Sequence, residues 1–272
     1  MTGPPPGLRI AITGSTGLLG TALVAALQAG GQRVTRLVRR ASAGPDQISW
    51  DPRAPGGGIA PGALDGLDAV IHLAGAGVAD HRWTPAYQQE IRASRVMGTR
   101  ALAAALAAAG PRPAVLLAGS AIGWYGDTGG REVDESAPAG QGFLADVVRD
   151  WEAAAQPARQ AGIRVVNMRT GIVFTRQGGV LARADLAGPV NLTTPYPVTN
   201  AELTRALAAA VNRPALLTVP ALALRLALGG VTSDLLSSAR VLPRRLTEAG
   251  YQFQFPELPA ALAAELAAPP AA

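Results

Sequence analysis

Thr13-Gly14-Ser15-Thr16-Gly17-Leu18-Leu19-Gly20 stands between a short apolar run at residues 8–13 and a helix-like stretch at 20–29, where Leu23 and Leu27 share a face. The spacing is Gly-x-x-Gly-x-x-Gly. Gly14 permits a tight turn, Gly17 lets the backbone approach a pyrophosphate, and Gly20 lets the helix pack closely on the strand. The free N–H groups at the helix start, and the helix dipole, then favour an anion. A glycine triplet alone is weak evidence. Here a strand precedes it, a helix follows and a second strand comes next, which is the context a dinucleotide-binding turn requires. The alternative is a tight strand–helix turn that holds no ligand.

Outward from that loop, strand and helix signals alternate. Short apolar strands are expected at 33–38, 69–74, 114–120 and 163–169, with a weak one at 48–50. Thr84 is a helix N-cap and Pro85 suits the first helical position of a long helix that Gly110-Pro111 ends. Another helix is expected over 144–160. The pattern predicts right-handed β-α-β units and an α/β fold, a doubly wound Rossmann-type parallel sheet covered on both faces. Its ligand belongs beyond the carboxyl ends of the strands. The tail differs: one more strand at 188–192, a helix capped by Thr199-Asn200 and running to about Val211, short helices beyond Arg213, a strand at 251–255 and a last amphipathic helix. The expected division is a flexible tail (1–7), a nucleotide-binding domain (8–187) and a small mixed, mainly helical C-terminal module (188–272).

Composition narrows the chemistry. At 272 residues the chain suits one large domain, or one with an appendage, and 49% hydrophobic residues exclude a disordered chain. With no Cys and two His, neither a thiolate metal site, a disulfide framework, a Cys nucleophile nor a His-rich metal site is expected. Every one of the 24 basic residues is Arg, against 19 acids, for a net charge of +5. They are scattered, so no nucleic-acid partner is expected. No targeting segment and no apolar run of about 18 residues is present, so no membrane partner is expected. These features imply a cytoplasmic protein, monomer or homodimer, with a small-molecule substrate.

The end of the second strand selects the cofactor. An acid there would bind the 2′-hydroxyl of NAD, whereas Arg suits the 2′-phosphate of NADP. The sequence has Arg36-Leu37-Val38-Arg39-Arg40 and no acid until Asp46, which favours NADP over NAD through Arg39 and Arg40. The alternative is a solvated strand end.

Thr13–Gly20, Ile71-His72-Leu73-Ala74-Gly75, Arg95-Val96-Met97-Gly98-Thr99 and Ser120 with Tyr125-Gly126-Asp127 resemble the extended short-chain dehydrogenase/reductase superfamily. Trp50-Asp51-Pro52, Arg82-Trp83-Thr84, Gly123-Trp124-Tyr125, Trp151-Glu152, Arg169-Thr170-Gly171 and Gly188-Pro189-Val190-Asn191-Leu192 resemble its atypical, epimerase-family branch. Residues 213 to about 262 resemble that branch's C-terminal module of unknown function. The resemblance implies an NAD(P)-dependent oxidoreductase or epimerase-like enzyme, with a nucleotide-sugar-like substrate class. It implies that Ala74 and Gly75 pass the cofactor ribose, that Asp51 accepts from the adenine amino group and that Ser120 faces nicotinamide and substrate. His72 reads as a core residue and His81 as exposed, while Trp83 and Trp124 divide between core packing and substrate stacking.

Two departures qualify the resemblance. The superfamily's acid/base pair is Tyr-x-x-x-Lys; the matching stretch here is Gly142-Phe143-Leu144-Ala145-Asp146-Val147-Val148, and the chain has no Lys. Tyr125 is the best substitute, with Asp127 a weaker one. An unperturbed Tyr titrates near 10, so it needs a nearby cation, which Arg95 could supply or else use to clamp an anionic substrate. The catalytic candidates are thus Ser120, Tyr125 and Arg95. Second, Arg183 runs almost directly into Ala184, where the family carries several tens of residues on the substrate side. Two alternatives to an enzyme with impaired chemistry stay open: a non-catalytic NADP-binding or redox-sensing protein, and a truncated product that folds poorly.

Overall fold

The computed structural model describes residues 7–41, 44–78, 80–171, 187–210 and 238–267. Seven parallel strands form the main sheet: β1 (Arg9–Thr13), β2 (Arg33–Val38), β3 (Gln47–Ser49), β4 (Ala69–His72), β5 (Val115–Ala121), β7 (Arg164–Thr170) and β8 (Gly188–Leu192). Their order is β3-β2-β1-β4-β5-β7-β8. The chain winds outward from β1 and returns to β4 on the other side, so the crevice between β1 and β4 is the switch point where such sheets bind ligands.

Period-two alternation fills both faces. Ala11, Val70, Leu116 and Val165 point to one core, which α2 (Pro85–Ala108) covers with Leu102 and Leu106. Ile10, Ile12, Ile71, Leu117, Val166 and Val190 point to the other, beneath α1 (Leu18–Ala29), which contributes Val24 and Leu27. The Thr84 hydroxyl accepts the Tyr87 N–H (3.2 Å) and Pro85 opens α2, as the sequence implies.

Three expectations change. The helix expected over 144–160 is two, α3 (Phe143–Ala153) and α4 (Gln156–Gln160). Pro157 has no N–H to donate back along a continuous helix, and its ring would meet the carbonyl four residues earlier. Residues 251–255 pair with no strand among the described residues. Tyr251 and Phe253 instead meet edge to face (5.0 Å between ring centres) against the α1-side core. Finally, β8 hydrogen-bonds to β7, so the sheet continues across the boundary expected at 187/188.

Beyond β8, α5 (Asn200–Ala210) starts with a capping box: the Thr199 hydroxyl accepts the Glu202 N–H, and the Glu202 carboxylate accepts the Thr199 N–H. A two-stranded parallel pair, β6 (Glu132–Val133) with β9 (Arg240–Val241), ties the loop after β5 to the C-terminal region. Helices α6 (Arg244–Glu248) and α7 (Leu258–Ala267) follow. The Arg183–Ala184 junction, most of the short helices expected beyond Arg213, and nearly all of the 1–7 tail lie outside the described residues. Among the described residues no helix is long and apolar enough to cross a membrane, and no cluster of His, Asp and Glu could hold a metal.

Candidate functional site

The glycine loop sits at the switch point. Gly14 has φ +68°, and a Cβ there would lie 2.8 Å from the Leu73 carbonyl carbon at the end of β4. A Cβ on Gly20 would be driven into the Gly14 carbonyl. Gly17 differs: it is the N-cap of α1, and a Cβ there meets nothing nearer than the Gly14 oxygen at 3.5 Å. Two glycines thus make room for the chain itself, while the third leaves space outside it. Helix α1 has no side-chain cap and no acid in its first turn, leaving its first N–H groups to an anion. Thr16, Gly17, Leu18 and Leu19 are exposed, and Ser15 is nearly buried. Gly17→Ala should therefore leave the melting temperature unchanged yet weaken dinucleotide binding at least about tenfold, because the added methyl occupies the approach of the pyrophosphate. Fluorescence titration beside a thermal melt checks this; equal cofactor affinity in the variant would remove the loop from the site.

Thr13 ends β1 beneath the loop. Its hydroxyl accepts the N–H groups of Leu73 (3.1 Å) and Ala74 (3.2 Å). With both lone pairs used, its own proton goes to His72 Nδ1 (2.7 Å), which leaves the proton of His72 on Nε2. His72 is fully buried, its ring edge-on to Trp50, and Nε2 has no partner among the described residues. This is the core residue that the sequence implies. Burial lowers its pKa from 6.5 to about 4. Between those values the unfolded chain binds a proton that the folded chain refuses, so this group's contribution falls as pH drops from 6.5 to 4, by up to about 3 kcal/mol. Melts across that window should decline less steeply for His72→Gln; identical slopes would rule out His72 as a source of acid sensitivity.

Arg39 and Arg40 follow β2, both exposed and with no ion pair among the described residues. Asp51 follows β3, also exposed, and its carboxylate accepts the Arg53 N–H (2.9 Å). Ala74 and Gly75 follow β4 at the same crevice, with Gly75 exposed.

The three catalytic candidates do not converge. The register sets Ser120 beside Arg169, and Arg169 beside Asn191, in a row across β5, β7 and β8. The Ser120 hydroxyl donates to Glu152 (2.7 Å). Glu152 also takes a two-pronged contact from Arg169, through Nε (2.8 Å) and Nη2 (3.0 Å). Arg169 Nη1 donates to the Tyr125 hydroxyl (3.1 Å), which donates to Asn191 Oδ1 (2.7 Å). Asn191 passes its amide to Leu242 O (2.9 Å), and its backbone N–H goes to Glu135 (3.0 Å). Tyr125, Glu152 and Arg169 are only 3%, 8% and 2% exposed.

The cation at Tyr125 is therefore Arg169, not Arg95. Burial raises the Tyr125 pKa, with Arg169 acting against it. Arg95 lies by Gly75, donates Nη1 to Ala76 O (2.9 Å) and Ile91 O (3.1 Å), and stacks on Trp151. The Asp127 pKa is lowered, because its carboxylate accepts the N–H groups of Gly129 and Ser238. Trp83 packs edge-on against Phe143, and the face of Trp124 is covered by the Arg169 guanidinium at 3.9 Å. His81 is exposed and meets Tyr87 edge to face. A cleft of about 390 Å³ lies along the loop after β5, lined by Tyr125, Asp127, Arg131 and Gln141 among others.

Glu152, Arg169, Asn191 and Glu135 carry the network, and the sequence does not single them out as site residues. One signal for it is readable: Arg169 stands in a strand buried on both faces, where a guanidinium requires a carboxylate.

A parallel sheet with a glycine loop at its switch point defines an NAD(P)-binding protein of Rossmann type. More narrowly, the chain belongs to the NAD dependent epimerase/dehydratase family, whose model matches residues 10–143, and a domain of unknown function, DUF1731, matches residues 219–265. It is 42% identical to epimerase family protein Mb2239 of Mycobacterium bovis, over 90% of this chain and 93% of that one. It is 33% identical to epimerase family protein SDR39U1 of Bos taurus, over 94% and 98%. Human SDR39U1 (isoform 2), solved with NADPH, superposes with a TM-score of 0.83 at 29% identity, covering 94% of this chain and 98% of that one. The nucleoside-diphosphate sugar epimerase of Corynebacterium glutamicum superposes with a TM-score of 0.76 at 33% identity, covering 96% of this chain and 58% of that one. The mycobacterial alignment spans 283 positions while using only 90% of these 272 residues, so several tens of positions in it have no counterpart here.

Proposed function

We propose that the chain is an NADP(H)-dependent oxidoreductase of epimerase type acting on a small molecule, without the superfamily's Tyr-Lys pair. The observation that carries the NADP(H) reading is the exposed Arg39–Arg40 pair at the end of β2, which has no ion pair among the described residues, with no acid at the strand end. The human relative solved with NADPH supports it. When bound, the nicotinamide gives or takes a hydride at C4. The chain's own part is to seat the pyrophosphate on the first N–H groups of α1 and the 2′-phosphate on the two guanidiniums. Ser120 and Tyr125, the candidates for handling the proton that accompanies the hydride, commit their hydroxyls to Glu152 and Asn191.

That commitment favours a second reading, a non-catalytic NADP-binding or redox-sensing protein. So does the shorter chain, if the missing positions fall at Arg183–Ala184 and remove a wall of the substrate cleft. Titration of the wild-type chain with NADPH and NADH, alongside thermal melts, tests the binding. Saturable binding that favours NADPH and raises the melt is the expected result. A cooperative melt that neither cofactor moves would refute it. Once binding holds, NADPH oxidation with a panel of carbonyl compounds separates the two readings.

A further inference from the structure

We propose that Tyr87 is the acid of the hydride step, giving its hydroxyl proton to the oxygen of a carbonyl substrate as the carbonyl carbon receives the hydride. This rests on the oxidoreductase reading above.

Ser120 and Tyr125 are almost fully buried, each with its hydroxyl turned to a side-chain acceptor. Tyr87 is placed otherwise. It stands in the first turn of α2, where the Thr84 cap takes its backbone N–H. Its half-buried ring packs against the cluster of Trp83, Ile91 and Val147, and the His81 ring meets it edge to face, 4.9 Å between centres. The ring is anchored, while the hydroxyl reaches the Gly77 carbonyl in the loop after β4. Gly77 is itself half-buried, so turning the hydroxyl to another oxygen strands no buried charge.

That loop borders the switch-point crevice. Gly75 follows β4 there, exposed and two residues before Gly77. A dinucleotide with its 2′-phosphate beyond β2 must run its nicotinamide half past Gly75, which brings the reacting end toward the Tyr87 hydroxyl. A cation stands beside it. Arg95 Nη1 donates to Ala76 O (2.9 Å), the carbonyl preceding the one that Tyr87 uses, and its charge acts on the Tyr87 hydroxyl. Burial and the Asp80 carboxylate raise the Tyr87 pKa, Arg95 acts against them, and Glu90 adds to the rise. The hydroxyl therefore holds its proton at neutral pH, the form that an acid needs in carbonyl reduction. Arg95 then faces the phenolate left behind, as a positioning residue.

The step balances. The carbonyl carbon gains the hydride with its electron pair from NADPH, and the C=O π pair takes the Tyr87 proton. The products are an alcohol and NADP+, and the half-buried phenolate recovers its proton from water. Tyr87 and Arg95 together supply the hydroxyl and the cation in a chain that has no Lys.

Tyr87→Phe keeps the ring in its cluster and removes only the hydroxyl. With NADPH and a carbonyl panel of para-nitrobenzaldehyde, diacetyl and phenanthrenequinone, its kcat should fall about a hundredfold to ten-thousandfold, the range for a general acid. NADPH affinity and melting temperature should match the wild type. A readout without turnover is the ultraviolet ionisation of Tyr87, isolated as the difference between chains with Tyr and Phe at position 87. That ionisation should move to higher pH when Arg95→Met is added to both, since a cation that favours the phenolate is gone. An unmoved titration, or an undiminished kcat in Tyr87→Phe, overturns the inference and leaves the oxidoreductase reading standing. Parallel losses of kcat, NADPH affinity and melting temperature overturn it by revealing a loop-holding role. A wild-type chain that binds NADPH but reduces nothing in the panel overturns it in favour of the binding-only reading. Failure to bind NADPH overturns both.

Discussion

Arg39→Ala/Arg40→Ala should bind NADPH at least about a hundredfold more weakly than the wild-type chain, with NADH almost unaffected. Each charge-assisted hydrogen bond to the 2′-phosphate contributes about 1.5–3 kcal/mol, and the phosphate is the group by which the two cofactors differ. Both side chains are exposed and make no ion pair among the described residues, so their removal leaves no buried charge and costs the fold little. Paired titrations measure the effect, and thermal melts without cofactor confirm that stability is kept. High salt should shrink the NADPH preference of the wild type, because exposed charges are screened. Equal losses for NADPH and NADH would mean that the pair does not read the phosphate, and the assignment to NADP(H) would fall.

Arg169→Met should be strongly destabilising. It removes the guanidinium from a buried pair, leaves the Glu152 carboxylate uncompensated and takes a donor from Tyr125. Breaking a buried pair from one side costs about 3–5 kcal/mol, which in a chain of this size lowers Tm by about 10 °C. Glu152→Leu/Arg169→Met should recover part of that loss, because the penalty lies in the stranded charge more than in the missing attraction. The recovery stays partial, since Ser120 loses its acceptor and Tyr125 loses one of its two partners. Circular-dichroism melts of the two single variants and the double variant form a thermodynamic cycle. Additive losses would show that the pair is not coupled.

The same network holds both hydroxyl candidates. Ser120 stands near the end of β5 and Tyr125 follows that strand, where reactive hydroxyls are expected, and both belong to a buried brace. That brace joins the ends of β5, β7 and β8 to residues 238–250: Asn191 reaches Leu242, and Glu135 accepts the N–H groups of Asn191 and Arg245. It holds the loop after β5 in place, while the glycine loop and the Arg pair lie outside it.

Local pattern carried much of the fold. Short apolar runs at the strands, the Thr84-Pro85 start of α2 and the Thr199-Asn200 start of α5 were readable because each depends on residues a few positions apart. The glycine loop was readable for the same reason, since its turn, its close approach and its helix start all lie within eight residues. The misread pieces also have local causes. Pro157 breaks a helix that its neighbours favour, and the alternating aromatics at Tyr251 and Phe253 serve core packing without a strand to pair with.

By itself, then, the sequence determined a parallel α/β sheet with an anion-binding loop, a basic strand end suited to a 2′-phosphate, and the absence of any Tyr-Lys pair. Only the tertiary structure decided what the candidate side chains touch. Tyr125 meets Asn191, 66 residues away on β8, and Ser120 meets Glu152, 32 residues away on α3, while the strand register sets Arg169 beside both Ser120 and Asn191. Arg95, on α2, is held by the Trp151 ring and the Ala76 carbonyl beside Gly75 instead of near Tyr125. Periodicity fixes which face a residue takes; the partner it finds there depends on strand order and burial, where an unpaired polar group costs too much to be left alone.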